Sequence, residues 1–247
     1  MPLTNPEIKN RAQFDSFVST TFPNFATRDV NYLNELYQIQ KASDPEGNFT
    51  RFDTQGTHGP TALTQSDMAA GIQQAAFNIA AENTFQCPAQ WMAESFSTGT
   101  RRAWKYQFSL TPSFHGADLS SYFSVGATVP SVDFRHAFHK VWGNFILKSI
   151  PIISETDATA QKDGAVAPIK AGLLDWPNYE ANHPTFMNFN TTGGNVSLTT
   201  VTDDLSYHVR LGEGVVNVFR LADGSSWEGG RGERCRFWQK IASHVPY

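Results

Sequence analysis

The stretch AWKYQFSL, residues 103–110, sets the strongest local constraint on this chain. Trp104, Tyr106 and Phe108 alternate with Lys105 and Gln107, the period of a β-strand with one aromatic face. Pro112 breaks the strand, and the next apolar pattern has another period. Phe134, Phe138, Val141, Trp142 and Phe145 recur at helical spacing and form one continuous apolar stripe. Strand and stripe both need a sheet to cover them, because uncovered they would leave a large apolar patch in water.

The flanking segments are read with the same rules. Phe14, Phe17 and Val18 mark a short helix, and Val30, Leu33, Leu36 and Tyr37 a second one after Pro23. Residues 41–66 are polar and rich in Gly, Pro and Thr, and read as loop. An Ala-rich helix is expected from Asp67 to Ala81, then another with Pro88 in its first turn. Residues 154–168 read as loop. TFMNFN and VSLTTV read as two strands joined by a Gly193-Gly194 turn, and residues 233–243 as a closing helix carrying Cys235, Trp238 and Ile241. No internal repeat is present.

Composition narrows the function classes. The 247 residues are 40% apolar, enough for a sizeable core. With 19 basic and 23 acidic residues the net charge is −4, and no Lys/Arg run exceeds Arg101-Arg102, so a phosphate-tracking, nucleic-acid-binding surface is not expected. Charged residues at 17% against aromatics at 13% suit a pocket for apolar ligands. No run of 18 apolar residues occurs, so no transmembrane segment is expected, and MPLTNPEIKNRAQFDSFVST lacks the layout of a signal peptide.

Cys87 and Cys235 are either two buried thiols or one bridge. A bridge would close a loop of 148 residues, worth up to about 5 kcal/mol in a chain-entropy account. Three N-x-[ST] triplets, at Asn48, Asn190 and Asn195, fall in polar or turn-rich stretches where a glycan has room. Together with the cysteine pair they lean toward an oxidising, secretory context.

His115, in TPSFHGADLSSYF, sits on the loop that leaves the predicted strand, where ligand and catalytic groups gather in parallel α/β sheets. The competing reading is a surface-loop histidine followed by Gly116. His136 and His139 are three apart on the predicted helix, but both point away from its apolar stripe and no further Cys or His stands at ligand spacing, so they read as solvated and no metal is expected. No Gly-rich phosphate loop is present, and no G-x-S-x-G nucleophile turn. Ser95-Phe96-Ser97-Thr98-Gly99 lacks the first glycine, and Gly224-Ser225-Ser226-Trp227-Glu228 the last. Ser97 moreover follows a helix and precedes a strand, the reverse of the required order.

Several segments together resemble the C-terminal part of the type B carboxylesterases, the family of cholinesterases and fungal extracellular lipases. NTFQCPAQ is similar to the family's Phe-x-Cys-Pro segment, and FHGADLSSYF to His-Gly-x-(Asp/Glu)-Leu-x-x-x-Phe. VWGNFI is similar to its Trp-x-Asn-Phe helix, WPNYEANHPTFMNFNT to its Trp-Pro-x-Tyr and following strand, and RCRFWQKI to its terminal Cys-x-Phe-Trp helix. The matches keep family order from about Thr84 to Ile241.

The resemblance implies an α/β fold, the C-terminal part of an α/β-hydrolase with an incomplete sheet flanked by helices, spanning residues 1–247 as one unit. It implies that His115 is the triad base of a serine carboxylic-ester hydrolase acting on a small-molecule or lipid ester, that Asp118 is a helix-start residue, and that Cys87 and Cys235 are bridged. It implies no cofactor, and an extracellular setting for the parent family. In such enzymes the serine and the acid precede the histidine along the chain. Glu7 lacks the following glycine of the family's acid loop, so both partners are expected outside this chain, which alone would be inactive. The alternative is a non-catalytic esterase-like binding module.

Overall fold

Asn10 opens the first helix by accepting the backbone N–H of Gln13 at 3.0 Å. The computed structural model describes residues 8–38, 71–110, 113, 115–123, 131–159, 175–202 and 205–246. Helix α1 (Arg11–Thr21) buries Phe14 and Val18. Helix α2 (Thr27–Leu36) follows, its start fixed by the Ala26 N–H donating to Asp29 Oδ2 at 3.1 Å, and it buries Leu33.

The helix expected from Asp67 is described from Ile72, as α3 (Ile72–Ala81). It does not stop before Pro88. It widens into a π-helical turn, Glu82–Gln86, in which the Cys87 N–H reaches back five residues to the Glu82 carbonyl, and continues as α4 (Cys87–Phe96). Proline has no N–H to give to the turn before it, and a widened turn is one way a helix tolerates that loss.

Of the predicted strand, only Tyr106–Phe108 forms a ladder (β1), followed by helices α5 (Leu119–Phe123) and α6 (Val132–Lys148). Ser131 caps α6 by accepting the Phe134 N–H at 3.0 Å. The apolar stripe is buried at Phe134, Phe138 and Val141 but emerges at Phe145, with Ile146 and Leu147 in solvent. A short helix, α7 (Glu155–Thr159), replaces the loop expected from residue 154. Its cause is a reciprocal pair: the Asp157 N–H donates to Ser154 Oγ at 3.1 Å and Ser154 Oγ to Asp157 Oδ2 at 2.7 Å.

Strands β2 (Thr185–Thr192), β3 (Asn195–Thr202), β4 (Leu205–Leu211) and β5 (Val216–Asp223) correct the expected pairing. TFMNFN and VSLTTV are not neighbours. The main sheet has order β1-β2-β5, with β1 parallel to β2 and β5 antiparallel to it, while β3 pairs with β4 in a separate ladder. The four strands are one long hairpin with a joint. Its arms, β2–β3 and β4–β5, face each other, with Thr192 opposite Val216 before the joint and Asn195 opposite Leu211 beyond it. Gly193 and Gly194 carry the chain through the joint at φ 72° and 58° instead of reversing it. A Cβ on Gly193 would stand 2.0 Å from the Gly214 carbonyl oxygen, so no other residue fits there.

The last helix, α8 (Trp227–Lys240), begins irregularly. Glu228, Gly229 and Gly230 all have positive φ before regular turns take over. Cys235 on this helix is bonded to Cys87 at the start of α4.

Two apolar clusters result. One joins α1, α2, α3 and α8 around Phe14, Val18, Leu33, Ile79 and Trp238. The other lies between the sheet and α6 around Phe134, Phe138, Met187, Phe189 and Phe219. The described helices and mixed sheet form a partial α/β arrangement. No helix among the described residues is long and apolar enough to cross a membrane.

Candidate functional site

Between the two clusters lies an open cleft of about 580 Å³, bordered by α4 (Met92, Phe96), by β1 with the residue before it, Lys105, and by Phe145. Among the described residues β1 pairs only with β2, so its other edge meets this cleft.

His115 stands at the cleft's lip, on the segment that leaves the carboxyl end of β1, and is exposed. Its imidazole stacks on Phe85 of the π turn, with centroids 4.5 Å apart and planes 22° from parallel. Among the described residues the ring has no hydrogen-bond or ion partner. Both nitrogens are therefore open to hydrogen-bond a group that enters the cleft.

The turn bearing His115 is fastened from behind. Gly116, at φ 81°, lets the chain bend into α5, and Asp118 stands immediately before that helix with its carbonyl accepting the Tyr122 N–H at 3.3 Å. The Asp118 carboxylate accepts the Tyr106 hydroxyl at 2.7 Å, and the Tyr106 and Tyr122 hydroxyls are themselves in contact. Burial first, and then the Asp118 charge, push Tyr106 far above the ordinary tyrosine range. Burial is also the main reason Tyr122 is pushed up to about 12. These phenols stay protonated and act as fasteners between β1 and the histidine turn.

The serines weighed from the sequence do not converge on His115. Ser97 closes α4 and lines a separate depression with Glu94, Thr98 and Asn178. Ser225 and Ser226 are committed to Asp223, which accepts both backbone N–H groups at 2.9 and 3.3 Å and the Ser226 hydroxyl at 2.8 Å. Ser113, not singled out from the sequence, does line the cleft, but it is buried and its hydroxyl donates to the Leu110 carbonyl at 2.9 Å. His136 is exposed and His139 half-buried on α6. Among the described residues no group of three or more His, Cys, Asp or Glu is arranged to hold a metal.

Behind the cleft is a network of buried charge that the sequence reading missed. Arg234 donates through Nε and Nη2 to Glu82, at 2.8–3.1 Å, with both residues almost fully buried. The Tyr37 hydroxyl donates to Glu82 at 2.5 Å and receives the Trp238 indole N–H at 2.8 Å. Burial opposes the Arg234 charge, but the Glu82 carboxylate outweighs it and raises the guanidinium pKa. Arg231 pairs with Glu228 and donates to Gln107 Oε1 on β1 at 2.7 Å. Lys105 reaches in over the Phe186 ring, 5.3 Å from its centroid. Burial, and next the Arg231 charge, bring its pKa down to about 7, with Glu228 pulling the other way. A signal was available: Lys105 and Gln107 are the polar half of the alternation that marks the strand.

Of the glycosylation candidates, Asn195 is exposed at the start of β3, and Asn190 is half-buried in β2, its side chain accepting the Thr191 N–H at 2.8 Å. Asn48 and Glu7 lie outside the described residues.

No protein-family model matches this chain, and no curated protein does. Among solved structures the chain is similar to the crystal structure of Aspergillus niger EstA. The two are 15% identical with a TM-score of 0.47, over 96% of this chain and 37% of that one. The chain thus spans little more than a third of that protein's length.

Proposed function

We propose that this chain is the histidine-bearing part of a serine carboxylic-ester hydrolase, with His115 as the proton-transfer group and with the nucleophilic serine and the orienting carboxylate supplied from outside residues 1–247. The observation that carries this reading is the presentation of His115. It is exposed at the lip of a cleft, at the carboxyl end of a parallel strand, held by ring stacking alone with both nitrogens uncommitted among the described residues. The motif order from Thr84 to Ile241 supports the same reading.

In this mechanism His115 takes the serine proton as the oxygen attacks the ester carbonyl, then delivers it to the departing alcohol. It next activates the water that releases the acyl group. The substrate is a small-molecule or lipid ester, no cofactor takes part, and the setting is extracellular, where the Cys87–Cys235 bond and glycans at Asn48, Asn190 or Asn195 belong.

The test is p-nitrophenyl ester hydrolysis. The chain alone should be no faster than its His115→Ala variant. Joined to the segment encoded upstream of Met1, if that segment carries a G-x-S-x-G turn and an acidic residue before glycine, it should hydrolyse the ester. His115→Ala in the joined protein should then lower kcat at least roughly a thousandfold. An upstream region with neither motif would sink the enzyme reading in favour of an esterase-like binding module that uses the same cleft.

A further inference from the structure

Among the described residues the ring contact of His115 is with Phe85, and the way Phe85 is held is unusual. Its π turn is gripped at both ends by consecutive residues of α8. Arg234 holds Glu82, the first residue of the turn, through both carboxylate oxygens. Cys235 is bonded to Cys87, the residue that follows the turn. Tyr37 adds a third hold on the turn, donating to Glu82 at 2.5 Å. The inner side of the turn is thus tied by an ion pair, a phenol and a covalent bond, while Phe85 faces the cleft and lies along the imidazole.

A face-to-face contact restrains a ring in a particular way. It limits tilt and translation of the imidazole, yet consumes neither nitrogen, because donor and acceptor directions lie in the ring plane. A hydrogen-bonded neighbour would fix the ring equally well and occupy a nitrogen in doing so.

We infer that Phe85 is a positioning residue for His115: it sets the plane of the imidazole, and the Arg234–Cys235 grip on the π turn sets Phe85. This rests on the reading of His115 as a proton-transfer group only for its consequence in catalysis. The geometric claim stands apart from that reading.

The experiment is NMR of the chain with labelled histidine, the His115 ring protons being assigned by their loss in His115→Gln. In wild type they should be displaced upfield by the Phe85 ring current. Phe85→Leu should return them toward the position of free histidine without changing the melting temperature, and Phe85→Tyr should keep the displacement. Phe85→Met replaces the leucine variant should that one fail to fold. The paired Cys87→Ala/Cys235→Ala variant should move the same resonances although neither cysteine touches His115. In the joined, active protein Phe85→Leu should lower kcat roughly tenfold with KM unchanged.

Resonances of His115 that do not respond to Phe85→Leu or Phe85→Met overturn the inference, whatever the activity. Resonances that move in a joined protein without esterase activity leave the positioning role intact and remove the hydrolase reading instead.

Discussion

The two halves of this molecule are stabilised by different physics. Around α1, α2, α3 and α8 the core contains fully desolvated charges, Glu82 and Arg234, together with the Cys87–Cys235 bond. Between the sheet and α6 the core is a stack of rings: Phe134, Phe138, Phe189 and Phe219 meet mostly edge to face at 4.6–5.4 Å. A charged core is brittle because each buried ion depends on a few partners held in one geometry, whereas a ring core spreads its cohesion over many weak contacts. His115 and Phe85 belong one to each half, so the candidate site sits where the brittle half presses on the tolerant one.

The strongest challenge to this contrast is Arg234→Met. It leaves Glu82 buried without its guanidinium and should cost about 3–5 kcal/mol in urea unfolding. Adding Glu82→Leu should recover most of that loss, because the pair as a whole contributes little net stability once desolvation is counted. Failure of the second change to rescue the first would mean that the ions are fixed by something other than each other.

Lys105→Met tests the seam between the halves. The Lys105 pKa is lower in the folded chain, about 7, than its ordinary value of 10.5, so the unfolded state binds its proton more tightly. The folded state therefore bears a cost that is complete below pH 7 and fades as the pH rises toward 10.5. Lys105→Met should raise stability by on the order of 2 kcal/mol at pH 6, and the gain should vanish by pH 10.5. A pH-independent gain would assign the effect to packing.

The smallest effect is expected in the ring core. Phe138→Leu should cost about 1.5 kcal/mol, since neighbouring rings can close part of the gap. A loss as large as that of Arg234→Met would erase the distinction between the halves.

These differences also explain what was legible beforehand. The helix stripe at Phe134, Phe138 and Val141 is buried as read, because burial on one face imposes a period that survives in sequence. The turn bearing His115 is legible for a different reason: the strand alternation ends and Pro112 punctuates it. The strand partners are not legible because Gly193-Gly194 looks like a reversal in sequence, and only the answering residues Gly212, Gly214 and Val215 make it a joint. The ion network was invisible because Glu82 and Arg234 are 152 positions apart, and either alone looks like a surface charge. Phe85 was visible as a member of a motif but not as a neighbour of His115, since nothing local says which way a widened helical turn points its side chains.

The Cys87–Cys235 bond has a topological consequence as well. It turns residues 87–235 into a covalent ring that contains His115 and strands β1 to β5, while α1, α2 and Phe85 lie on the tails. A protease that cuts once anywhere inside that ring releases nothing. The two pieces would migrate as one molecule until a reductant opens the bond, so an intact band on a non-reducing gel is no proof of an intact backbone.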